Sequence, residues 1–145
     1  MKTITLRGER GRRLTIVTYR YEQEKSQNPY DASWLQCSVE VDLGQFRGAV
    51  NASFMTHDFA GFLEELEKVV NADALLATFN TMEEALSLRV ELDRAGHATI
   101  NGKLREVDWN GTELSFTIES DRSFLTETIT ELRALVTGFP PFSTS

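Results

Sequence analysis

Apolar and polar residues alternate along several segments of the chain, as in strands that bury one face and expose the other. Segments 3–6 and 14–21 are rich in β-branched and aromatic residues and are predicted to be strands. The alternation is cleanest in the next two segments, whose apolar positions are Leu35, Cys37, Val39, Val41, Leu43 and then Phe46, Gly48, Val50, Ala52, Phe54. One-sided strands of this kind favour antiparallel pairing.

After these strands the apolar spacing changes from two residues to three or four. The apolar positions form one helical stripe: Phe59, Phe62, Leu63, Leu66, Val69, Val70. Thr56 is the expected N-cap, and Asp58 in the first turn suits the helix dipole. The pattern predicts an amphipathic helix of about four turns.

The same order of elements then recurs. Strands are predicted at residues 75–79, 86–92, 98–104 and 114–118, with the Asn110-Gly111 pair as a turn signal. Asn101-Gly102 is an alternative turn, so the strand boundary near it stays open. A second helix is predicted to begin at Asp121 or Ser123 and to end at Gly138. Its apolar stripe consists of Leu125, Ile129, Leu132, Leu135 and Val136.

These elements predict an α+β fold in which four strands and a helix occur twice (ββββα repeated). The economical arrangement is two-layered, a mainly antiparallel sheet of about eight strands with both amphipathic helices on one face. No linker-like change of composition divides the chain, so a single domain over residues 1–145 is expected. Residues 139–145, which include the paired prolines Pro140 and Pro141, are expected to be a frayed tail.

Composition excludes several classes of protein. The chain has 145 residues and a net charge of -7, which argues against a nucleic-acid-binding protein. It has one cysteine and two histidines, so neither an internal disulfide nor a multi-ligand zinc site is expected. No apolar run is long enough for a membrane span, and the N-terminus lacks a signal-peptide pattern. A reducing cytoplasm is the expected location.

Catalytic chemistry finds little support in the sequence. The spacings of phosphate-binding loops, HExxH zinc sites, CxxC pairs and nucleophile elbows are missing. Cys37 lies among inward-facing apolar residues and is expected to be a buried, protonated thiol. Carboxylates do occur in same-face pairs, but no apolar surroundings would raise the pKa of one of them. We therefore expect no catalytic residue, no metal and no cofactor.

The exposed face of the sheet is the candidate site for a protein partner. The predicted contributors are charged strand residues and the junction before the third strand: Glu40, Asp42, Arg89, Glu91, Asp93, and Trp34 with Tyr30 and Asp31. We expect these carboxylates to converge on one surface away from both helices, with Trp34 at its margin as a contact hot spot. An ordinary solvated sheet face is the alternative interpretation.

The segment Asp31-Ala32-Ser33-Trp34-Leu35 resembles the D-x-N-W-L motif that starts a strand in the WapI-type immunity proteins of bacteria. Ser33 stands where that family has asparagine. The similarity continues through Val39-Glu40-Val41, Phe46-Arg47-Gly48 and the first helix, and covers roughly Leu14 to Phe139. The resemblance implies a protein that neutralises a toxin.

We therefore expect a non-enzymatic protein that neutralises a cognate toxin domain by occluding it. An acidic chain would suit a basic, nuclease-like toxin. The expected partner is a protein, rather than nucleic acid or a membrane, and the chain itself is expected to be a monomer or a homodimer. One alternative is a secretion-type chaperone for an effector segment, although eight strands are too many for that class. A small hydrolase acting through Glu40 and Glu91 is a more distant alternative.

Overall fold

The structure is a computed structural model that describes residues 1–22, 33–107 and 111–141. Its first half contains β1 (Lys2–Arg7), β2 (Arg13–Tyr21), β3 (Trp34–Asp42), β4 (Arg47–Met55) and α1 (Thr56–Val70). Its second half contains β5 (Leu76–Asn80), β6 (Leu86–Leu92), β7 (His97–Arg105), β8 (Glu113–Asp121) and α2 (Arg122–Gly138). A short 3-10 turn, Glu9–Gly11, joins β1 to β2. The predicted α+β class and the repeated ββββα order are confirmed.

The eight strands form two antiparallel four-stranded sheets, whereas the sequence led us to expect one continuous sheet. Sheet 1 has the order β1-β2-β3-β4, and sheet 2 has the order β5-β6-β7-β8. Helix α1 packs along β5, helix α2 packs along β1, and the two helices pack against each other. Because the helices occupy these positions, β1 and β5 cannot pair, and the halves are joined through helices instead.

Each helix satisfies backbone groups at the edge of the sheet beside it. On α2, Glu131 accepts a hydrogen bond from the Thr5 N–H (2.9 Å), and the Thr128 hydroxyl donates to the Thr5 carbonyl (2.7 Å). On α1, Glu65 accepts from the Thr78 N–H in β5 (3.2 Å). Buried edge groups of this kind are costly to leave unbonded, so the helices close these two edges.

One hydrophobic core joins both sheets and both helices. At its centre the ring of Phe79 in β5 lies 5.3 Å from Phe54 in β4, 5.6 Å from Phe59 and 5.4 Å from Phe62 in α1. Each side chain of this size stabilises the fold by roughly 1.5–3 kcal/mol when buried. The cluster therefore ties the end of the first half to the start of the second.

Two residues that were predicted to be buried and one alternative turn differ from the structure. Phe46 and Leu75, expected on buried strand faces, lie just before β4 and β5 and are 68% and 81% exposed. Asn101 and Gly102 lie inside β7 instead of forming a turn. A side chain at Gly102 would collide with the ring of Phe116, which covers that position from the next strand. The glycine is therefore required by packing.

The helix termini agree with the prediction for α2 and differ for α1. Asp121 caps α2, since its carboxylate accepts a hydrogen bond from the Phe124 N–H (2.9 Å). Of the two starts that the sequence allowed, Asp121 and Ser123, the structure has the first. Helix α1 is capped by Met55, and Thr56 is its first residue. The Met55 N–H donates to the Asp58 carboxylate (2.8 Å).

The chain directly after α2 packs against sheet 1. The ring of Phe139 packs edge-on against Tyr21 with centroids 5.4 Å apart, and the Tyr21 hydroxyl donates to the Pro140 carbonyl (2.6 Å). Residues 139 and 140 therefore contact sheet 1. Residues 142–145 of the predicted tail lie outside the described residues.

Candidate partner-binding surfaces

The structure distributes the predicted site residues over two separate sheets. Glu40 and Asp42 lie on β3 in sheet 1, whereas Arg89 and Glu91 lie on β6 in sheet 2. Asp93 lies beyond the end of β6, in the turn before β7. The expected convergence of these carboxylates on one face is therefore not found, because that expectation assumed a continuous sheet. Predicted residues Tyr30 and Asp31 lie outside the described residues.

Two of the predicted carboxylates bind their own chain. Asp42 accepts from the Gly44 N–H (3.1 Å) and pairs with Arg13 and Arg47, each at 3.3 Å. The Gly44 N–H, helped by the two guanidinium groups, lowers the pKa of Asp42 below its ordinary value. Asp42 therefore stabilises the β3–β4 turn, and its negative charge is balanced by Arg13 and Arg47 rather than available to a partner.

Asp93 has the same function in the β6–β7 turn. Its carboxylate accepts from the N–H groups of Ala95 and His97, both at 2.9 Å. Side-chain bonds from an aspartate to nearby backbone are a common way to stabilise a turn. The predicted pair Glu91 and Asp93 is thus divided between a strand and a turn.

Ionisable side chains on the exposed face of sheet 2 lie close to one another. Arg89 and Glu91 pair at 2.8 Å, and His97 lies 2.5 Å from Glu119. The strands surround a shallow depression of about 610 Å³ that is lined by Leu88, Gly102 and Phe116 and by polar residues: Thr78, Asn80, Ser87, Arg89, Asn101, Lys103, Ser115, Thr117. Among the described residues, none of the exposed large apolar side chains lies on this face.

The exposed face of sheet 1 has a different composition. We define the sheet 1 face by Thr15, Val17, Tyr19, Ser38, Glu40, Ala49 and Asn51, which share the side of β2, β3 and β4 opposite the core. The paired charges of Arg13, Asp42 and Arg47 lie on the same side at one end of this face. Tyr19 is 41% exposed, and its hydroxyl lies 3.1 Å from the Ser38 hydroxyl. Among residues 1–22, 33–107 and 111–141, nothing pairs with or hydrogen-bonds to the exposed Glu40 carboxylate. An amphipathic ring on the same face as a carboxylate that has no described partner is suited to protein binding.

Trp34 lies at the end of this sheet. It is the first residue of β3, is half-buried, and pairs across the ladder with Met55, which caps α1. Its carbonyl accepts from the Glu22 N–H (2.9 Å). The structure therefore places Trp34 where β2, β3 and α1 meet, at the margin of sheet 1, and its role in binding stays a prediction.

The cysteine is placed as the sequence predicted. Cys37 is 1% exposed, and burial raises the pKa of its thiol to about 12, while the nearby Thr18 hydroxyl has a smaller opposing effect. The thiol is therefore protonated at neutral pH and is a weak nucleophile. Within the described ranges, no three metal-binding side chains come together, and no helix is long and apolar enough to cross a membrane.

Sequence reasoning missed Tyr19, although the signal was present. Leu14, Ile16 and Thr18 are buried, so the alternation already placed Tyr19 on the opposite face. The pairing of β2 with β3 shifts register between Thr18 and Arg20, and such irregularities re-aim nearby side chains. What the sequence could not show is that the β3 and β4 positions beside Tyr19 are almost uncharged.

The chain is similar to one family of proteins and, in its fold, to a solved structure. A family model described as the immunity protein WapI-like family matches residues 5–140. Among solved structures, the chain is similar to one described as "Crystal structures of trypanosoma bruciei MRP1/MRP2", with 13% identity and a TM-score of 0.51. That similarity covers 95% of this chain and 84% of the other, and at this identity it shows the fold alone. No curated protein matches the chain.

Proposed function

The chain belongs to the WapI-like immunity protein family, and from this premise we propose that it binds a protein toxin and neutralises it by occlusion, without catalysing a reaction. The family match covers nearly the whole fold, from β1 to the residues after α2. Neutralisation by occlusion needs a stable surface complementary to the toxin, and a rigid sheet supplies one.

We place the docking site on the sheet 1 face. The observation that supports this placement is that the exposed Glu40, which pairs with no described residue, shares this face with the exposed Tyr19. The charges of Arg13, Asp42 and Arg47 at one end of the face pair with one another. Interface centres are rich in tyrosine, and the strands of sheet 2 contain none. Tyr19 would supply buried area, and Glu40 would orient the partner.

The proposed toxin is basic, as in nuclease-like domains with a phosphate-binding groove. The chain carries a net charge of -7, which would accelerate its encounter with a positively charged domain. Glu40 could occupy part of such a groove, because a carboxylate and a phosphate attract the same cations.

Co-expression tests the immunity role. A host that produces the toxin domain encoded beside this chain's gene should stop growing, and co-production of this chain should restore growth. A secretion-type chaperone would bind a disordered segment of its client and leave the folded toxin domain active. Absence of rescue, together with absence of binding to the purified toxin domain, would contradict the proposal.

Paired charge reversals test the docking site. Glu40→Lys should slow association with the toxin by about tenfold at low salt, and the loss should shrink as salt is raised. Glu91→Lys is the matched control, because it makes the same change at an exposed strand position of sheet 2. Surface plasmon resonance at several salt concentrations measures both. Equal effects of the two variants would show that only net charge matters and that the sheet 1 face is not the site.

A further inference from the structure

The two sheets have four edges, and three of them are closed. Helix α2 closes β1 through Glu131, and helix α1 closes β5 through Glu65. The β1–β2 turn covers β8, since Gly8 packs directly on Ile118 and Glu119. The Ser120 hydroxyl also donates to the Arg7 carbonyl (2.6 Å). Covering an edge in this way prevents its unpaired backbone groups from recruiting another strand.

The edge of β4 has none of these features. Gly48, Ala49 and Asn51 are exposed and Val50 is half-buried, and a side chain at Gly48 would meet no atom within 4 Å. In the described part of the chain, no helix, turn or side chain bonds to the outer backbone groups between Gly48 and Ala52. The segment also lacks proline and charge, the usual protections of a natural edge strand.

We propose that β4 pairs with β4 of a second copy of this chain, antiparallel and across a two-fold axis at Val50. Each Val50 would then face the other, Ala49 would face Asn51, and Gly48 would face Ala52. In this register the buried-side residues of one copy meet the buried-side residues of the other. The two sheet 1 surfaces would join into one eight-stranded sheet, and the half-buried Val50 side chains would be covered.

The strand is complementary to itself, which favours a second copy over a foreign strand. A two-fold interface brings the residues near its axis close to their own copies, so a charged segment would repel itself, and Gly48–Ala52 is neutral. Glu40 is the nearest carboxylate on the face. With strand spacings of about 4.8 Å, the two Glu40 side chains would be roughly 15 Å apart, beyond the screening length at physiological salt. The net negative charge of the chain therefore does not prevent pairing.

Sedimentation velocity over a wide range of protein concentration tests the proposal. The unmodified chain should shift from the mass of one chain to twice that mass. Asn51→Lys and Asn51→Asp should each weaken the dimer by on the order of tenfold, because the axis at Val50 places the two introduced charges within about 8 Å. An equimolar mixture of these two variants should recover dimers, since the opposite charges attract.

Asn101→Lys is the matched control, an exposed asparagine on β7, and it should dimerise like the unmodified chain. Hydrogen exchange should show protection of the Gly48–Ala52 amides that increases with concentration, which a dimer formed through another surface would not produce. A chain that stays monomeric throughout the range would overturn the proposal. So would an Asn51→Lys variant that dimerises normally, or concentration-dependent protection confined to other strands. The proposal is independent of the toxin, so it can fail while the immunity role stands.

Discussion

At the scale of single residues, the starts of the two helices contain aspartates with opposite pKa shifts. Asp58 is half-buried, and desolvation raises its pKa even though its carboxylate accepts the Met55 N–H. The pKa of Asp121 is lowered, mainly by the hydrogen bond from the Ser123 hydroxyl and then by that from the Phe124 N–H. Burial dominates at the first site and hydrogen-bond donors dominate at the second, so residue type and position alone do not determine the sign.

Asp58→Asn should leave the free energy of unfolding at pH 7 unchanged or increase it. The folded state holds the Asp58 proton more tightly than the unfolded chain does, so this group favours the fold most below its ordinary pKa of 3.8. That contribution is lost as the pH rises through the raised pKa. Asparagine keeps an acceptor for Met55 without the desolvated charge. Urea denaturation at pH 4 and pH 7 measures the difference.

Asp121→Asn provides the comparison with the opposite sign. The lowered pKa means that ionised Asp121 stabilises the fold above its ordinary pKa of 3.8, and that this contribution is lost as the pH falls through the folded pKa. The Asn variant should therefore be less stable at pH 7, with the difference narrowing in acid. A loss of stability at pH 7 for Asp58→Asn equal to that for Asp121→Asn would contradict the assignment.

Leu66→Ala should reduce the free energy of unfolding by about 2–5 kcal/mol. Leu66 is 0% exposed in the centre of the α1 stripe, so its removal leaves a cavity against the core. Leu75→Ala makes the same chemical change at a residue that is 81% exposed, and should cost less than about 0.5 kcal/mol. Chemical denaturation of both variants compares the sites. Similar small costs would mean that the α1 stripe is not core.

At the scale of elements, the two helices stand in equivalent relations to the sheet edges. Strands β4 and β8 have nine residues each, and each runs directly into its helix. Glu65 and Glu131 occupy the same position relative to those helix starts, and each accepts from a threonine N–H on an edge strand. The edge contacts therefore repeat between the two halves although the sequences of the helices differ.

Glu131→Ala should cost about 1–3 kcal/mol, because it removes the acceptor for the Thr5 N–H and the bidentate partner of Arg7. Glu127→Ala is the control one turn earlier, where the carboxylate is 59% exposed and lies 3.7 Å from Arg7. An exposed pair of that kind should contribute less than about 1 kcal/mol. Thermal denaturation ranks the two, and faster exchange of the Thr5 amide should accompany only the Glu131 variant. An unchanged Thr5 exchange rate would show that the edge is closed by other contacts.

At the scale of the whole molecule, one core is shared by both sheets and both helices, and the aromatic cluster around Phe79 links the halves. Neither half could lose its packing without exposing the apolar surface of the other. Because each half covers apolar surface of the other, we expect the two halves to unfold together.

Cooperative unfolding can be measured with one tryptophan. Trp109→Phe would leave Trp34 in sheet 1 as the single tryptophan, because the chain contains two. In that background, Ile100→Ala in the core of sheet 2 should shift the urea midpoints of Trp34 fluorescence and of circular dichroism by the same amount. A Trp34 transition that stays in place while the dichroism splits into two steps would show that the halves unfold independently.

The sequence by itself determined most of the buried positions, the order of the elements and Asp121 as one of two candidate caps for α2. Burial and element order follow from the spacing of apolar residues, which is two in strands and three to four in helices. The cap depends on a bond between near neighbours, so both kinds of feature can be inferred from short stretches of sequence. The tertiary structure decided that β1 and β5 are closed by helices, that the strands form two sheets, and that Glu40 and Glu91 lie on different surfaces. The hydrogen bonds of Asp42 and Asp93 to their own turns are local, but the alternating pattern assigned both carboxylates to the exposed face. The tertiary structure also decided that Tyr19 shares the outer face of sheet 1 with Glu40. These features depend on contacts between residues far apart in the chain, where many arrangements satisfy the same alternation and only packing selects among them.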